Sequence, residues 1–436
     1  MQVALSLEHI TDCLASVFDA QQDKRAQERC KYQLSDAGLA AFSVFYTQSP
    51  SFLSYQRDMA KRQAKSNAQT IFSLERIPTD THIRTMLDGI EADSLGVVYR
   101  HVVNELVSQR MLTDYQVSYA GDAYYLLALD GTEFHSSHNV NCELCCSTTK
   151  DGNTRYHHSL IPPVLVHPEQ AEVISLEPEF ISQQDSYDKQ DCERSAIKRW
   201  FDSKAPAYDL DKVIVLCDDL HCHQAQLQQV FDRGWSFIFV CKPSSHKTLY
   251  DYLNLAEVQT LNYRHWNGRF YERHKYRFAE QLPLRDSADS LCVDYCELTI
   301  SREDDGTILY HNSFASNLTC TPDSVKDIVR WGRSRWKTEN EANNTLKTKG
   351  YHLEHNYGHG QHGLANLLAS LLLLAFLSHT LQALFEVRYQ AVRKSLGSRR
   401  DFFNNLRSLL IFNLFSSWSQ LLDFIIDALD IDLDSS

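Results

Sequence analysis

Residues 1 to about 115 carry apolar side chains at helical spacing. Leu5, Ile10, Leu14 and Phe18 form one such stripe, and Ile83, Met86, Leu87 and Ile90 another. Ser49-Pro50-Ser51 punctuates the stretch, and Pro78-Thr79-Asp80 reads as a helix start. At Asp122 the pattern changes. Tyr124 to Leu129 is a short apolar run ending in Asp130, which suits a buried strand. Ser159 to Val166 and Val173 to Leu176 read as further strands, and residues 188 to 203 as a helix. Val213 to Cys217 is a second buried strand ending in acids, Asp218 and Asp219. His223 to Arg233 reads as a helix and Phe237 to Cys241 as a strand. This alternation predicts a mixed α/β sheet with helices on its faces. Residues 242 to 321 mix aromatic and basic positions, and Cys292 to Ile300 alternates, so a β-rich insertion is expected there. From Asp323 the chain reads as helical to about residue 430. The apolar run Leu364 to Leu377 is short for a membrane span and interrupted by Asn366 and Ser370, which predicts a buried core helix.

A chain of 436 residues has room for two or three domains, or one core with additions. No basic segment followed by an apolar run opens it, so no secretory signal is expected. The twelve cysteines are then expected to be reduced, in a cytoplasmic protein without a membrane partner. The net charge of −13 argues against a generally basic nucleic-acid binder. The charges are unevenly spread, however. Basic residues gather between Lys242 and Arg285 and between Lys326 and Lys349, while Asp423, Asp427, Asp430, Asp432 and Asp434 crowd the end. A locally basic groove on an acidic protein still binds phosphates. Arg57, Lys61, Arg62 and Lys65 read either as a solvated helix face or as contacts to DNA ends.

Asp130 and Asp218 end two buried strands, where reactive groups of open α/β sheets gather on rigid backbone. Each alone reads equally as a cap or turn residue. Arg335, Glu339, Asn343 and Lys347 are spaced four apart and would share a helical face, with Glu341 pointing elsewhere. Three such carboxylates suit two Mg²⁺ ions roughly 3.5–4 Å apart, which hold a phosphodiester in line and neutralise its charge. Arg335 and Lys347 would then hold phosphates nearby.

Cys142 and Cys145 have the C-x₂-C spacing of a zinc knuckle. His157 or His158 would supply a third ligand, with Cys146 or His138 the fourth; His157 is the expected choice, in a structural Zn²⁺ site. Free core cysteines and a strand histidine are the competing reading. Asp185, Asp188, Asp191 and Glu193 read as the solvated acidic start of a helix. His355, His359 and His362 read as turn and surface residues.

Leu129-Asp130-Gly131-Thr132, Leu216-Cys217-Asp218-Asp219-Leu220 and Arg335-Trp336-Lys337-Thr338-Glu339-Asn340-Glu341 resemble, in order, the three acid-bearing motifs of DDE transposases from bacterial insertion sequences. The run Gly350 to Gly360 looks like a stretch that follows the glutamate in one subgroup. The resemblance covers about residues 40 to 380. It implies a ribonuclease H-like core, with a β-rich insertion in the gap of about 120 residues between Asp218 and Glu339. It also implies hydrolysis at transposon ends and transfer of the 3′-OH into target DNA, with Mg²⁺ (or Mn²⁺) held by Asp130, Asp218 and Glu339. Asp218 is favoured over Asp219 because the family's acid directly follows the strand's last apolar residue. Related enzymes hold a flipped base on an aromatic of the insertion, which makes Trp266 a candidate DNA contact beside Arg335 and Lys347. The hairpin-forming branch carries a tyrosine where this chain has Gly332, and its lysine stands one residue before Lys347. The expected arrangement is a helical DNA-binding part (1–118), the first part of the core (119–241), the insertion (242–321), the glutamate helix (322–362) and a helical C-terminal part (363–436). A homodimer on DNA, associated with the nucleoid, is expected in the active complex. The rival expectations are a two-metal nuclease without strand transfer, and a non-catalytic DNA-binding protein derived from a transposase.

Overall fold

The computed structural model describes residues 6–23, 25, 30–59, 66–182 and 192–433. Lys61, Arg62, Lys65, Asp185, Asp188, Asp191 and Asp434 lie outside the described residues. Helices α1 (Leu7–Asp19), α2 (Leu34–Tyr46), α3 (Phe52–Asp58), α4 (Asn67–Phe72), α5 (Asp80–Leu87) and α6 (Gly96–Ser108) precede the sheet. Ser6, Ser51, Ser66 and Thr79 each accept a hydrogen bond from the backbone N–H three residues on. Each thereby satisfies a donor that a helix start leaves open.

Strands β1 (Gln116–Tyr119), β2 (Asp122–Ala128), β3 (Thr132–Ser137), β4 (Cys146–Lys150), β5 (Asn153–Ile161), β6 (Val164–Val166), β7 (Ile174–Ser175) and β8 (Glu179–Ile181) follow. The run Ser159 to Val166, expected as one strand, is two strands in different sheets. Pro162 and Pro163 cannot donate to a ladder and separate them. Next come α7 (Glu193–Arg199), continued by a π-helical turn over Trp200–Lys204, then β9 (Val213–Cys217), α8 (Gln224–Asp232), β10 (Ser236–Val240) and α9 (Lys247–Leu255). Strands β11 (Gln259–Trp266), β12 (Tyr271–Pro283), β13 (Cys292–Arg302) and β14 (Ile308–Ser316) lead to α10 (Val325–Arg333), a π-helical turn over Thr338–Asn343, and α11 (Asn344–Thr348). Helices α12 (Leu364–Phe385), α13 (Val387–Ser395), α14 (Arg399–Phe412) and α15 (Trp418–Ala428) close the chain.

The fold is α/β with a mixed sheet. The main sheet runs β11-β12-β13-β14-β10-β9-β2-β6-β7, with β1 hairpinned onto β2. Its centre is parallel, β2 beside β9 beside β10, while β6 runs antiparallel to β2 and β7 antiparallel to β6. Strand β9 is buried along its whole length, as a central parallel strand requires. The aromatic and basic strands β11–β14, expected as an insertion, extend this sheet, because β14 pairs antiparallel with β10. A second sheet of β3, β4, β5 and β8 stands beside it.

The helices of both chain ends share one body around α12. The apolar window of α12 has mean hydropathy 1.9 and is 94% buried, so this helix, long and apolar enough to cross a membrane, is a core helix here. Tyr99 donates its hydroxyl to Ser370 O at 2.6 Å, and the Asn67 amide donates to Leu410 O at 2.8 Å and Asn413 O at 2.7 Å. Arg407 donates to Gln48 O at 2.7 Å. A buried ion cluster fastens α6 to the π turn. Lys204 lies 2.8 Å from Asp93, 2.9 Å from Glu179 and 3.5 Å from Glu177, which Arg100 meets at 2.5 Å.

Candidate active site

The register of two neighbouring strands brings the first two acids together. Ala128 on β2 pairs with Leu216 on β9, and Leu129 N–H donates to Leu216 O at 3.1 Å. Parallel strands in register end side by side, so Asp130 and Asp218 leave the sheet at the same edge. Asp130 is largely buried, and burial pushes its carboxyl up to about 6; Arg335 opposes this, while the charges of Glu193, Asp218 and Glu339 add to it. Arg335 stands with Nη1 3.4 Å from Asp130 Oδ2. The charge of Glu339, at an exposed position far along the chain, is thus felt at Asp130.

Asp218 and Asp219 do different work. Asp218 is partly exposed and accepts from Leu220 N at 3.0 Å, leaving oxygen lone pairs facing outward. Asp219 is consumed by the loop after β10, where it accepts from Lys242 N at 2.6 Å and Ser245 Oγ at 2.5 Å and meets His246 Nε2 at 3.2 Å. The hydrogen bonds thus leave Asp218 the freer of the two carboxylates.

Glu193, read in sequence as a solvated helix start, is a fourth acid of the site. Its Oε1 accepts from Gly131 N at 3.1 Å and lies 2.9 Å from Nε2 of the buried His221. Burial opposes its charge, but the bonds from His221 and Gly131 outweigh it and hold the carboxyl below its ordinary range. A Cβ at position 131 would come 2.7 Å from the Glu193 carboxyl, so only glycine admits this contact. Nothing in the spacing of Glu193 distinguished it from a dipole-facing acid.

Glu339 sits in the π-helical turn Thr338–Asn343, with α10 already ended at Arg333. The four-residue spacing of Arg335, Glu339, Asn343 and Lys347 therefore does not give one continuous α-helical face. Asn343 is buried, and Lys347 turns to Glu354 at 3.0 Å instead of toward the acids. Gly332 packs α10 onto the sheet: a Cβ there would meet Ile238 at 2.8 Å and Phe314 at 2.9 Å, which leaves no room for a tyrosine. Trp266 ends β11, half exposed at 51% and tilted against Tyr271 at 4.9 Å, so it is not a core residue; no contact among the described residues joins it to the carboxylates.

No protein-family model and no curated protein matches this chain. The chemistry of the site is therefore carried by its geometry.

Beyond the acids, α13 and α14 contribute Arg393, Arg399, Arg400 and Arg407 to a cleft of about 770 Å³, whose opposite wall includes Glu341 and Lys349. Cys142 and Cys145 do converge with a histidine, but the histidine is His158, not His157. Adjacent strand residues face opposite ways, and His158 is the one turned inward, at 1% exposure. The fourth member is His359, expected as a turn residue and instead buried. Cys146 points its thiol at Ile181 O, and His138 bonds Thr154 O at 2.9 Å, so neither joins the group.

Proposed function

We propose that this chain is a DNA transposase of the DDE type, with Asp130, Asp218 and Glu339 as its catalytic carboxylates. One observation carries the reading: Asp130 and Asp218 leave adjacent parallel strands at the same edge, and Asp130, with Arg335 beside it, feels the charges of both Asp218 and Glu339. The strand order supports a ribonuclease H-like core. Counting β2, β6, β7, β9 and β10 as first to fifth, the order across the sheet is 3-2-1-4-5, with the second strand antiparallel to its neighbours.

The donor set fits Mg²⁺. All the candidate ligands are carboxylate oxygens, the type this hard cation prefers, and burial first, then the charges of the neighbouring acids, raise Asp130, a cost that a cation would relieve. Bound there, Mg²⁺ would supply Lewis-acid neutralisation of the phosphodiester charge. The chain's own part is positional. Strand ends fix the two aspartates, Arg335 sets the orientation of Asp130, and the His221–Glu193–Gly131 bonds brace the turn that carries Asp130. Arg400 and Lys349, both exposed in the cleft, would offer charges to a DNA backbone.

The test uses the full chain with the DNA flanking its gene, where the reading expects inverted repeats. Mg²⁺-dependent nicking at the repeat ends is expected. Asp130→Asn, Asp218→Asn and Glu339→Gln abolish it while end binding remains. Normal cleavage by any of these variants removes that residue from the site. A pre-cut end that is never joined to target DNA makes the protein a nuclease instead.

A further inference from the structure

We infer that Cys142, Cys145, His158 and His359 form a structural zinc site that ties the stretch following Asp130 to the stretch following Glu339. The inference does not depend on the catalytic reading.

The distances are those of a tetrahedral S₂N₂ shell. With Zn–S near 2.3 Å and Zn–N near 2.0–2.1 Å, tetrahedral angles separate two sulfurs by about 3.8 Å and a sulfur from a nitrogen by about 3.5 Å. The two Sγ atoms stand 3.8 Å apart. His158 Nε2 lies 3.3 Å from each sulfur, and His359 Nε2 lies 3.5 Å from Cys145 Sγ. All four donor atoms fall within 4.8 Å of one another.

Thiol–imidazole hydrogen bonds do not account for the arrangement. Cys145 Sγ is approached by Cys142 Sγ, by both imidazoles, and by Cys142 N–H at 3.4 Å. A thiol offers one weak donor and weak acceptor capacity, too little for four partners. The group is also deeply set: Cys145 is 3% exposed, His158 1% and His359 7%. Polar atoms buried in this way are costly unless something satisfies them. Tetrahedral mixed sulfur–nitrogen shells select zinc among the common divalent ions.

The shell is closed by four protein ligands, which marks a structural site. It also joins three separate segments: the loop between β3 and β4, strand β5, and the loop before α12. An outer hydrogen bond repeats the link, with His362 Nδ1 3.1 Å from Glu143 Oε1.

The experiment is metal analysis of the full chain, expressed in zinc-replete medium and purified without chelator or histidine tag. About one zinc per chain is expected. Cys142→Ser with Cys145→Ser, and separately His359→Asn, should lose it, while His157→Asn should keep it. If those variants do not fold, Co²⁺ exchanged into the wild-type chain decides the matter, since thiolate-to-cobalt charge-transfer bands and intense tetrahedral d–d bands are expected. A wild-type chain without zinc, a Cys142–Cys145 disulfide found by alkylation and mass spectrometry, cobalt spectra lacking thiolate bands, or zinc retained by the ligand variants would each overturn the inference.

Discussion

Asp130 should destabilise the metal-free protein, and its removal should show this. Burial and the charges of Glu193, Asp218 and Glu339 raise its carboxyl from 3.8 to about 6, even with Arg335 pulling the other way. A group whose pKa is raised by folding favours the fold while protonated. That advantage is complete below the unfolded value near 3.8 and is lost as pH rises through about 6. At roughly 1.4 kcal/mol per pKa unit, the loss at neutral pH is about 3 kcal/mol. Asp130→Asn keeps the shape and removes the charge, so in EDTA at neutral pH it should stabilise the chain by about that amount. For a chain of this size the unfolding entropy converts it to roughly 3 °C in Tm. The assay is a thermal melt of both proteins in EDTA, at neutral pH and again near the unfolded pKa of an aspartate. The gap should be open at neutral pH and closed in acid. With Mg²⁺ added, the wild-type Tm should rise more than that of the variant. An Asp130→Asn protein that melts below wild type at neutral pH without metal, or a gap indifferent to pH, refutes the electrostatic account.

Asp219→Ala should cost about 2–4 kcal/mol in urea unfolding, because it strips the acceptor from Lys242 N and Ser245 Oγ, yet it should leave metal-dependent nicking measurable at low temperature. Loss of nicking in a folded Asp219→Ala protein would reassign the second acid. Lys204→Met should cost about 2–4 kcal/mol by the same measurement, since it removes the buried cation shared by Glu177 and Glu179 and leaves each with one arginine, Arg100 and Arg199. Gly332→Tyr should destabilise by about 1–3 kcal/mol or more through overpacking on Ile238 and Phe314; an unchanged midpoint would mean that α10 does not press on the sheet as described.

The strands that lead into Asp130 and Asp218 were legible because each is a continuous apolar run closed by an acid, the pattern a central parallel strand must carry. The buried nature of α12 was legible for a similar reason. Other features were hidden by distance or by local ambiguity. His359 joins Cys145 across a separation of 214 residues, and no local spacing announces such a contact. The choice between His157 and His158 turned on strand register, which a β-bulge near Glu133 and His135 makes hard to count from sequence. Glu193 looks like any acid in a first helical turn until Gly131 is seen against it. Lys347 was misplaced because the four-residue rule assumes an α-helix, and the turn bearing Glu339 is π-helical. The strands after β10 were recognised as strands, but their pairing with β10 is a tertiary fact that alternation does not encode.

The joint helical body has a consequence for synthesis on the ribosome. Tyr46 on α2 waits for Gln382 on α12, a partner 336 residues later. At translation speeds of 5–20 residues per second, that interval is roughly 20–70 s. Throughout it, the face of α2 that packs on α12 lacks that partner, though α1 and α5 already cover others, which makes the nascent chain a client for chaperones and makes a truncated N-terminal fragment prone to aggregate.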